Sequence, residues 1–270
     1  MKYNVIDSHA HVYPKKIARR ASENIGLFYG YPVPEVPVSE PGTLEALIAE
    51  GKTAGTSAHC VSGAATAANQ VVSINDFLIS LPEEQDGIRL YKYGTAHHEL
   101  ENVGDELERI KKAGLLGIKL HADCQRFNID GREAYPIYDA AEQLGIPVLM
   151  HLGDETHDYS SPLKLVKMLR DFPKLRVVAA HLGGYRDWDN GRQLAGLENV
   201  WFDTCSSQSI LTPERAVAQI RHFGAERCFF GTDYPIWNVG AELEKFLSLP
   251  LTETERAGIL GGNFLAFIGL

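Results

Sequence analysis

The sequence has 270 residues, the size of one large α/β domain, with 44% hydrophobic and 23% charged side chains. Its 26 basic and 35 acidic side chains give a formal net charge of −9, which argues against nucleic acid or an anionic membrane as a partner. No segment approaches the roughly 18 apolar residues of a membrane span, and the N-terminus does not resemble a signal peptide. Four scattered cysteines without a CxxC pair are typical of reduced thiols. We expect a cytoplasmic protein with one domain over residues 1–270.

Short apolar segments rich in β-branched residues alternate with helix-like segments along the whole chain. This alternation predicts parallel βαβ units, and eight such units close into a single (β/α)8 TIM barrel, regular or locally distorted. An open doubly wound sheet is the alternative, but no GxGxxG or Walker sequence follows any strand. The predicted strands are 3–9, 57–62, 90–96, 117–122, 147–152, 176–181, 200–203 and 227–232.

A long segment, residues 14–55, separates the first two predicted strands. It contains GLFYGYPVPEVPVSEPG, and the four prolines of this stretch argue against a regular helix there. The loops that follow the strands of a TIM barrel build its active site. We therefore interpret residues 14–55 as a first helix and a long, lid-like loop insertion that faces the substrate. A surface loop packed on the outside of the barrel is the alternative.

Histidine or aspartate stands at the end of four predicted strands. His9 and His11 alternate along the first strand, so their rings lie on one face. His151, His181 and Asp233 stand at the ends of the fifth, sixth and eighth strands. Each of them alone fits an ordinary polar contact at a strand end. Together they predict a zinc-type metal site at the mouth of the barrel, where an incomplete ligand set leaves room for a reactive water.

Six motifs occur in order along the chain: VIDSHAHVYP, GIKLHADCQRFNID, PVLMHLGD, VVAAHLGG, FGTDYP and ILGGNFLAFIGL. In this order they resemble the amidohydrolase superfamily, and more narrowly its amidohydrolase-2 or decarboxylase-like branch. The resemblance covers the chain from end to end. It implies a metal-dependent TIM-barrel enzyme with one divalent metal ion, for which Zn²⁺ is the leading candidate. A second metal ion stays open.

The resemblance also gives roles to the strand-end residues. His9 and His11 match the metal pair of the first strand, and His151 matches the metal ligand of the fifth. Asp233 matches an aspartate that both binds metal and contacts the reactive water. His181 matches a histidine that serves as an acid/base or carbonyl-polarising group in single-metal members and binds a second metal in binuclear relatives.

Further candidates lie near the same strand ends. Lys119 and His121 alternate along the fourth strand and face inward. Lys119 is open to carbamylation, to binding a substrate carboxylate or to pairing with a barrel carboxylate, and His121 to substrate contact or metal ligation. Arg126 and Tyr234 are further substrate-binding candidates, and Arg126 suits an anionic substrate. Cys205 has no clear histidine partner in the sequence, so we expect no nucleophile there.

Three functions are compatible with these residues. The first is hydrolysis of an amide, ester or lactone bond of a small molecule by a metal-activated water, with Asp233 and His181 as catalytic residues. The alternative is non-oxidative decarboxylation or hydration of an aromatic or unsaturated acid. Hydrolysis is preferred because several decarboxylase relatives carry glutamate in place of the first-strand histidine, and this chain keeps His9. The third is a non-enzymatic metal- or ligand-binding protein. We expect a small-molecule substrate and leave a homo-oligomer open.

Overall fold

Eight parallel strands form one barrel in the computed structural model, which describes residues 3–30 and 41–270. Each barrel strand pairs in parallel with the next one along the chain. An isolated bridge between Ala10 and Tyr234 joins the first strand to the segment after the eighth. The His11 amide donates to the Tyr234 carbonyl over 2.7 Å and reinforces this closure. The predicted TIM-barrel fold is confirmed.

The barrel strands, numbered one to eight in chain order, differ from the predicted strands mainly at their ends. They are Ile6–His11, Ala58–Ser62, Ile88–Thr95, Gly117–Leu120, Val148–Met150, Val177–Ala179, Val200–Asp203 and Cys228–Phe229. A two-residue strand, Glu84–Gln85, pairs antiparallel with the third barrel strand. His151, His181 and Asp233 follow their strands rather than ending them. His181 and Asp233 have left-handed φ values of 60° and 59°, which interrupt the extended backbone.

Helices cover the outer face of the barrel. Helix Val103–Lys112 is typical, because it buries Val103, Leu107 and Ile110 on one stripe against the strands. None of the helices in the described part of the chain is long and apolar enough to cross a membrane. The longer helices are Lys15–Tyr29, Leu44–Ala54, Val71–Ser80, Val103–Lys112, Tyr135–Leu144, Pro162–Asp171, Pro213–Phe223 and Val239–Ser248. The shorter ones are Ala122–Gln125, Trp188–Gly191, Ser207–Ile210, Glu253–Ala257 and Asn263–Ile268.

The prediction for residues 14–55 is wrong in one part. Helix Lys15–Tyr29 includes residues 26–29, the first four residues of the stretch that was expected to be non-helical. The prolines of that stretch all lie beyond Tyr29, so they do not interrupt the helix. Gly30 ends it with a left-handed φ of 71°. Residues 31–40 lie outside the described residues, so the long loop insertion is not confirmed and the lid stays a prediction.

The C-terminal helix Asn263–Ile268 covers the end of the barrel where the strands begin. Phe264 and Phe267 pack with Ile6 and Phe229 inside the strands. The chain approaches the barrel closely just before this helix, because a Cβ atom on Gly261 would lie 2.4 Å from the Asn4 carbonyl oxygen. The closing motif ILGGNFLAFIGL is therefore structural. It leaves the opposite end of the barrel for the site.

Candidate active site

Three side chains bring ligand atoms together at the carboxyl ends of the strands. His9 Nε2 lies 3.2 Å from His11 Nε2. Asp233 Oδ1 lies 3.7 Å from His9 Nε2 and 3.4 Å from His11 Nε2. Ligand atoms about 2.0–2.1 Å from one tetrahedral ion are about 3.3–3.4 Å apart, so this set, the ligand triangle, has the size that a divalent metal ion requires. All three side chains are buried.

The backbone produces this convergence. The pairing of the first and second strands shifts register between Asp7 and Ala10, and such a bulge re-aims the side chains beside it. The Asp233 amide donates to the His9 carbonyl over 2.8 Å, which ties the two sides of the ligand triangle together. A left-handed φ at a residue other than glycine costs about 1–3 kcal/mol and is typical of functional sites. The left-handed Asp233 fits that pattern.

A buried carboxylate orients His9 from behind. Asp203 Oδ2 lies 2.9 Å from His9 Nδ1. The other ring nitrogen, His9 Nε2, is therefore the one that points toward His11 and Asp233. Such a carboxylate partner fixes the tautomer of a metal-binding imidazole. Burial opposes ionisation of Asp203, but the contact with His9 outweighs it and lowers the pKa of Asp203 to about 2. None of the site residues predicted from the sequence was Asp203, although Asp203 is the last residue of the seventh strand, Val200–Asp203.

Asp7 stabilises the backbone at His9, at the start of the His9–His11 segment. Its Oδ1 atom accepts hydrogen bonds from the amides of His9, over 3.2 Å, and Thr232, over 3.0 Å. Its Oδ2 atom accepts from the Thr232 hydroxyl over 2.7 Å and lies 3.1 Å from His59 Nδ1. These bonds link the first strand to the second strand and to the segment after the eighth. His59 therefore has a structural place.

His181 and His151 form a hydrogen-bonded pair beside the ligand triangle. His181 Nε2 lies 2.8 Å from His151 Nδ1, and the His181 ring centroid lies 5.7 Å from that of His9. His151 Nε2 lies 2.8 Å from the Gly153 carbonyl oxygen. The structure thus brings His181 to the ligand triangle, whereas His151 reaches it by way of His181. The role of His151 as a metal ligand stays a prediction, since one ring nitrogen would have to exchange its present partner for the ion.

Cys205 has histidine partners, contrary to the sequence analysis. Its Sγ atom lies 3.1 Å from both His9 Nδ1 and His181 Nδ1, and it donates to Asp203 Oδ1 over 2.8 Å. These contacts arise across three strands and leave no local pattern in the sequence. Burial raises the pKa of the Cys205 thiol well above its ordinary value, and the charge of Asp203 raises it further. Because a protonated thiol is a poor nucleophile, we still expect none here.

Lys119 and His121 both reach the site from the fourth strand. Lys119 Nζ is fully buried and lies 3.0 Å from His9 Nε2, and burial lowers the pKa of this amine. His121 stacks on His151 with 4.0 Å between the ring centroids. Its Nδ1 atom accepts a hydrogen bond from the Cys124 amide over 3.3 Å. Carbamylation and substrate binding both stay predictions for Lys119.

The two other substrate-binding candidates lie away from the ligand triangle. Tyr234 is buried, and its hydroxyl accepts a hydrogen bond from the Gly42 amide over 3.1 Å, next to helix Leu44–Ala54. Arg126 is exposed at the end of helix Ala122–Gln125, with a left-handed φ of 58°. Among the described residues, no hydrogen bond joins either side chain to the ligand triangle. Their roles toward a substrate stay predictions.

Burial keeps His11 and His181 neutral, and this should make the metal-free protein acid-sensitive. It lowers the pKa of His11 and of His181 from 6.5 to about 4. The unfolded chain therefore takes up these protons first, and stability is lost as the pH falls from about 6.5 toward 4. We expect the free energy of unfolding at pH 5 to be lower than at pH 7.5 by about 2 kcal/mol for each histidine. Urea unfolding of the chelator-treated protein at both pH values measures this.

Two variants control that measurement. His181→Gln should reduce the loss between the two pH values, because one proton-binding difference is gone while those of His11, His121 and His151 remain. His222→Gln changes a histidine on the exposed side of helix Pro213–Phe223 and should behave like the unchanged protein. An unfolding free energy that is equal at both pH values would contradict the prediction.

The family model for amidohydrolases, of the amidohydrolase-2 type, matches residues 6–270. The chain belongs to the amidohydrolase family. This amidohydrolase is 27% identical over 210 residues to 2-amino-3-carboxymuconate-6-semialdehyde decarboxylase from Dictyostelium discoideum. That alignment covers 63% of this chain and 58% of the length of the relative. Membership of the family implies an enzyme with a divalent metal site, and the ligand triangle fits such an ion.

Two solved structures share the fold of this amidohydrolase. The 5-carboxyvanillate decarboxylase from Sphingomonas paucimobilis has a TM-score of 0.76 and 16% identity, with 99% of each chain covered. A dihydroxybenzoic acid decarboxylase from Polaromonas sp. JS666, with bound manganese and the inhibitor 2-nitroresorcinol, has a TM-score of 0.74 and 16% identity. That match covers 98% of this chain and 97% of the other. At these identities the likeness shows the barrel fold alone.

Proposed function

We propose that this amidohydrolase is a metal-dependent decarboxylase of a small aromatic or unsaturated carboxylic acid. The observation that carries the proposal is the ligand triangle with His181 beside it, in a chain whose sequence is similar to that of 2-amino-3-carboxymuconate-6-semialdehyde decarboxylase. This reverses the preference for hydrolysis in the sequence analysis. That preference depended on His9, where several decarboxylase relatives carry glutamate. The comparisons favour the decarboxylase alternative over the hydrolase interpretation.

The side chains of the ligand triangle would hold the metal ion, with His151 as a further ligand if its ring turns. A divalent ion in this place supplies positive charge that stabilises negative charge on the reacting acid. The sequence favoured zinc, whereas the Polaromonas enzyme contains manganese. Imidazole nitrogen suits zinc and carboxylate oxygen suits manganese, so this mixed set accepts either ion. We propose one ion per chain.

Two side chains beside that ion can handle a proton. Decarboxylation breaks the bond between the carboxylate and its carbon, the electron pair stays on that carbon, and a proton is added there. Burial opposes ionisation of Asp233, but its contacts with His11 and His9 outweigh it and hold its pKa well below the ordinary value. The Ser206 hydroxyl donates to Asp233 Oδ2 over 2.8 Å and leaves Oδ1 facing the ligand triangle. The ionised Asp233 can therefore accept a proton, and His181 can pass one at Nε2.

Carbon dioxide release tests the proposal. The protein is loaded with Mn²⁺ or Zn²⁺ and offered 5-carboxyvanillate, dihydroxybenzoic acids and unsaturated acids, beside a panel of amides, esters and lactones. We expect release of CO₂ from at least one acid, lost with a chelator and restored by the metal. Hydrolysis of an ester, amide or lactone without CO₂ release would favour the hydrolase interpretation instead. Tight metal and ligand binding without turnover of either panel would favour a binding protein.

We also propose a cytoplasmic location and leave a homo-oligomer open, as expected from the sequence. Cell fractionation tests the location, and light scattering on the metal-loaded protein tests the oligomeric state.

We propose an anionic small molecule as the substrate, because the buried amine of Lys119 lies beside His9 and can pair with a negative charge.

A further inference from the structure

The end of helix Lys15–Tyr29 lies over the mouth of the barrel. The Tyr29 hydroxyl hydrogen-bonds to His121 Nε2 and lies 3.3 Å from Nε2 and 3.4 Å from Nδ1 of His151. The Tyr29 ring meets Tyr185 edge to face, with 5.2 Å between the centroids. His121, His151 and Tyr185 belong to the segments that follow the fourth, fifth and sixth strands. Tyr29 therefore reaches across the mouth from the segment that follows the first.

Packing of this helix does not explain the tyrosine hydroxyl. The buried residues of the helix are Ala18, Ser22 and Gly26, a narrow stripe of small residues spaced by four. Larger side chains of the same helix face solvent, and Leu27 is 79% exposed. An apolar ring at position 29 would fill the same space beside the histidines. A hydroxyl in such a place loses its hydration and gains only if it has partners there.

The hydrogen-bond directions at His121 leave the Tyr29 proton available. The Cys124 amide donates to His121 Nδ1, so that nitrogen is an acceptor and the proton of the neutral imidazole lies on Nε2. His121 Nε2 then donates to the Tyr29 oxygen. The Tyr29 hydroxyl keeps its own proton for another acceptor. Both ring nitrogens of His151 lie near this hydroxyl, and His151 is in turn hydrogen-bonded to His181.

We propose that Tyr29 is a catalytic residue that donates a hydrogen bond to an oxygen atom of the bound acid, with His121 positioning its hydroxyl. The inference rests on the proposed function, because the acid is the substrate named there. The hydroxyl lies next to His151, which is hydrogen-bonded to His181 beside the ligand triangle, so an acid held at the triangle can turn an oxygen atom toward it. No bond of Tyr29 is made or broken. Its ring, packed on Tyr185, forms one wall of the pocket.

The test is the dissociation constant of 2-nitroresorcinol, measured by absorbance titration of the manganese-loaded protein. Tyr29→Phe keeps the ring and removes only the hydroxyl. Since hydrogen bonds to charged groups contribute about 1.5–3 kcal/mol, we expect this variant to bind about 10- to 100-fold more weakly. The matched control is Tyr135→Phe, which removes a hydroxyl that bonds to Asp171 on the outside of the barrel. It should bind as the unchanged protein does, and thermal unfolding shows that both variants are folded.

The outcomes separate this inference from the proposed function. Equal dissociation constants for the unchanged protein and Tyr29→Phe would overturn the role of Tyr29, even if CO₂ is released at full rate. Tighter binding by Tyr29→Ala would also overturn it, because the tyrosine would then be an occupant that the ligand displaces. No binding by the unchanged protein would overturn it as well. Weaker binding by Tyr29→Phe in a protein that releases no CO₂ would support Tyr29 and contradict only the proposed function.

Discussion

Asp233→Asn should lower kcat by about 10²–10⁴-fold while the barrel stays folded. The substitution keeps the shape of the side chain and an oxygen that can accept the hydrogen bond from Ser206. It removes the charge that lies 3.4 Å from His11 Nε2 and 3.7 Å from His9 Nε2. The variant therefore loses both the ionised ligand atom and the group that takes up a proton. Steady-state kinetics with CO₂ detection, at saturating metal, measures kcat.

A second aspartate provides the control for charge removal. Asp189→Asn changes a carboxylate whose side chain is 93% exposed, so kcat should stay at the level of the unchanged protein. Elemental mass spectrometry on both variants reports the metal content. Asp233→Asn should hold less than one equivalent at limiting metal and recover occupancy, but not rate, when metal is in excess. A rate equal to that of the unchanged protein at full occupancy would refute the proton-handling role of Asp233.

The sequence was informative where function depends on local spacing. Alternation along one strand placed His9 and His11 together, and the structure puts their Nε2 atoms 3.2 Å apart. The order of apolar strands was sufficient to predict the barrel, because parallel βαβ units of this number have few other solutions. Strand ends also led to His181 and Asp233, since the carboxyl ends of barrel strands share one face.

The sequence was uninformative where contacts join distant elements. Asp203 orients His9 across 194 positions of the chain, so no local spacing reveals the pair. The ring of His151 faces Gly153 and His181, a choice of rotamer that a strand-end position does not determine. Tyr29 lies in a stretch interpreted as non-helical, and its approach to the site depends on the path of the whole helix. These residues complete the site. Their contacts form only when distant segments of the chain fold together, so no local sequence pattern predicts them.

His181→Ala should leave the metal in place and lower kcat by about 10²–10⁴-fold. His181 lies beside the ligand triangle but is not one of its three residues. Its Nε2 atom hydrogen-bonds to His151 Nδ1 over 2.8 Å. Its amide donates to Asp203 Oδ1 over 2.9 Å, and alanine keeps that bond. The carboxylate that orients His9 therefore stays in position. What the variant loses is the imidazole that can pass a proton at Nε2.

His181→Asn is the second variant, because residue 181 has a φ of 60° and asparagine tolerates the left-handed region better than alanine does. Both variants should contain one equivalent of metal by elemental mass spectrometry after loading with Mn²⁺. If both hold the metal and both lose rate, backbone strain is excluded and the imidazole itself is responsible. Loss of the metal from both would make His181 a ligand. The ion would then lie between His181 and the ligand triangle, and a second metal ion would become the better interpretation of the site.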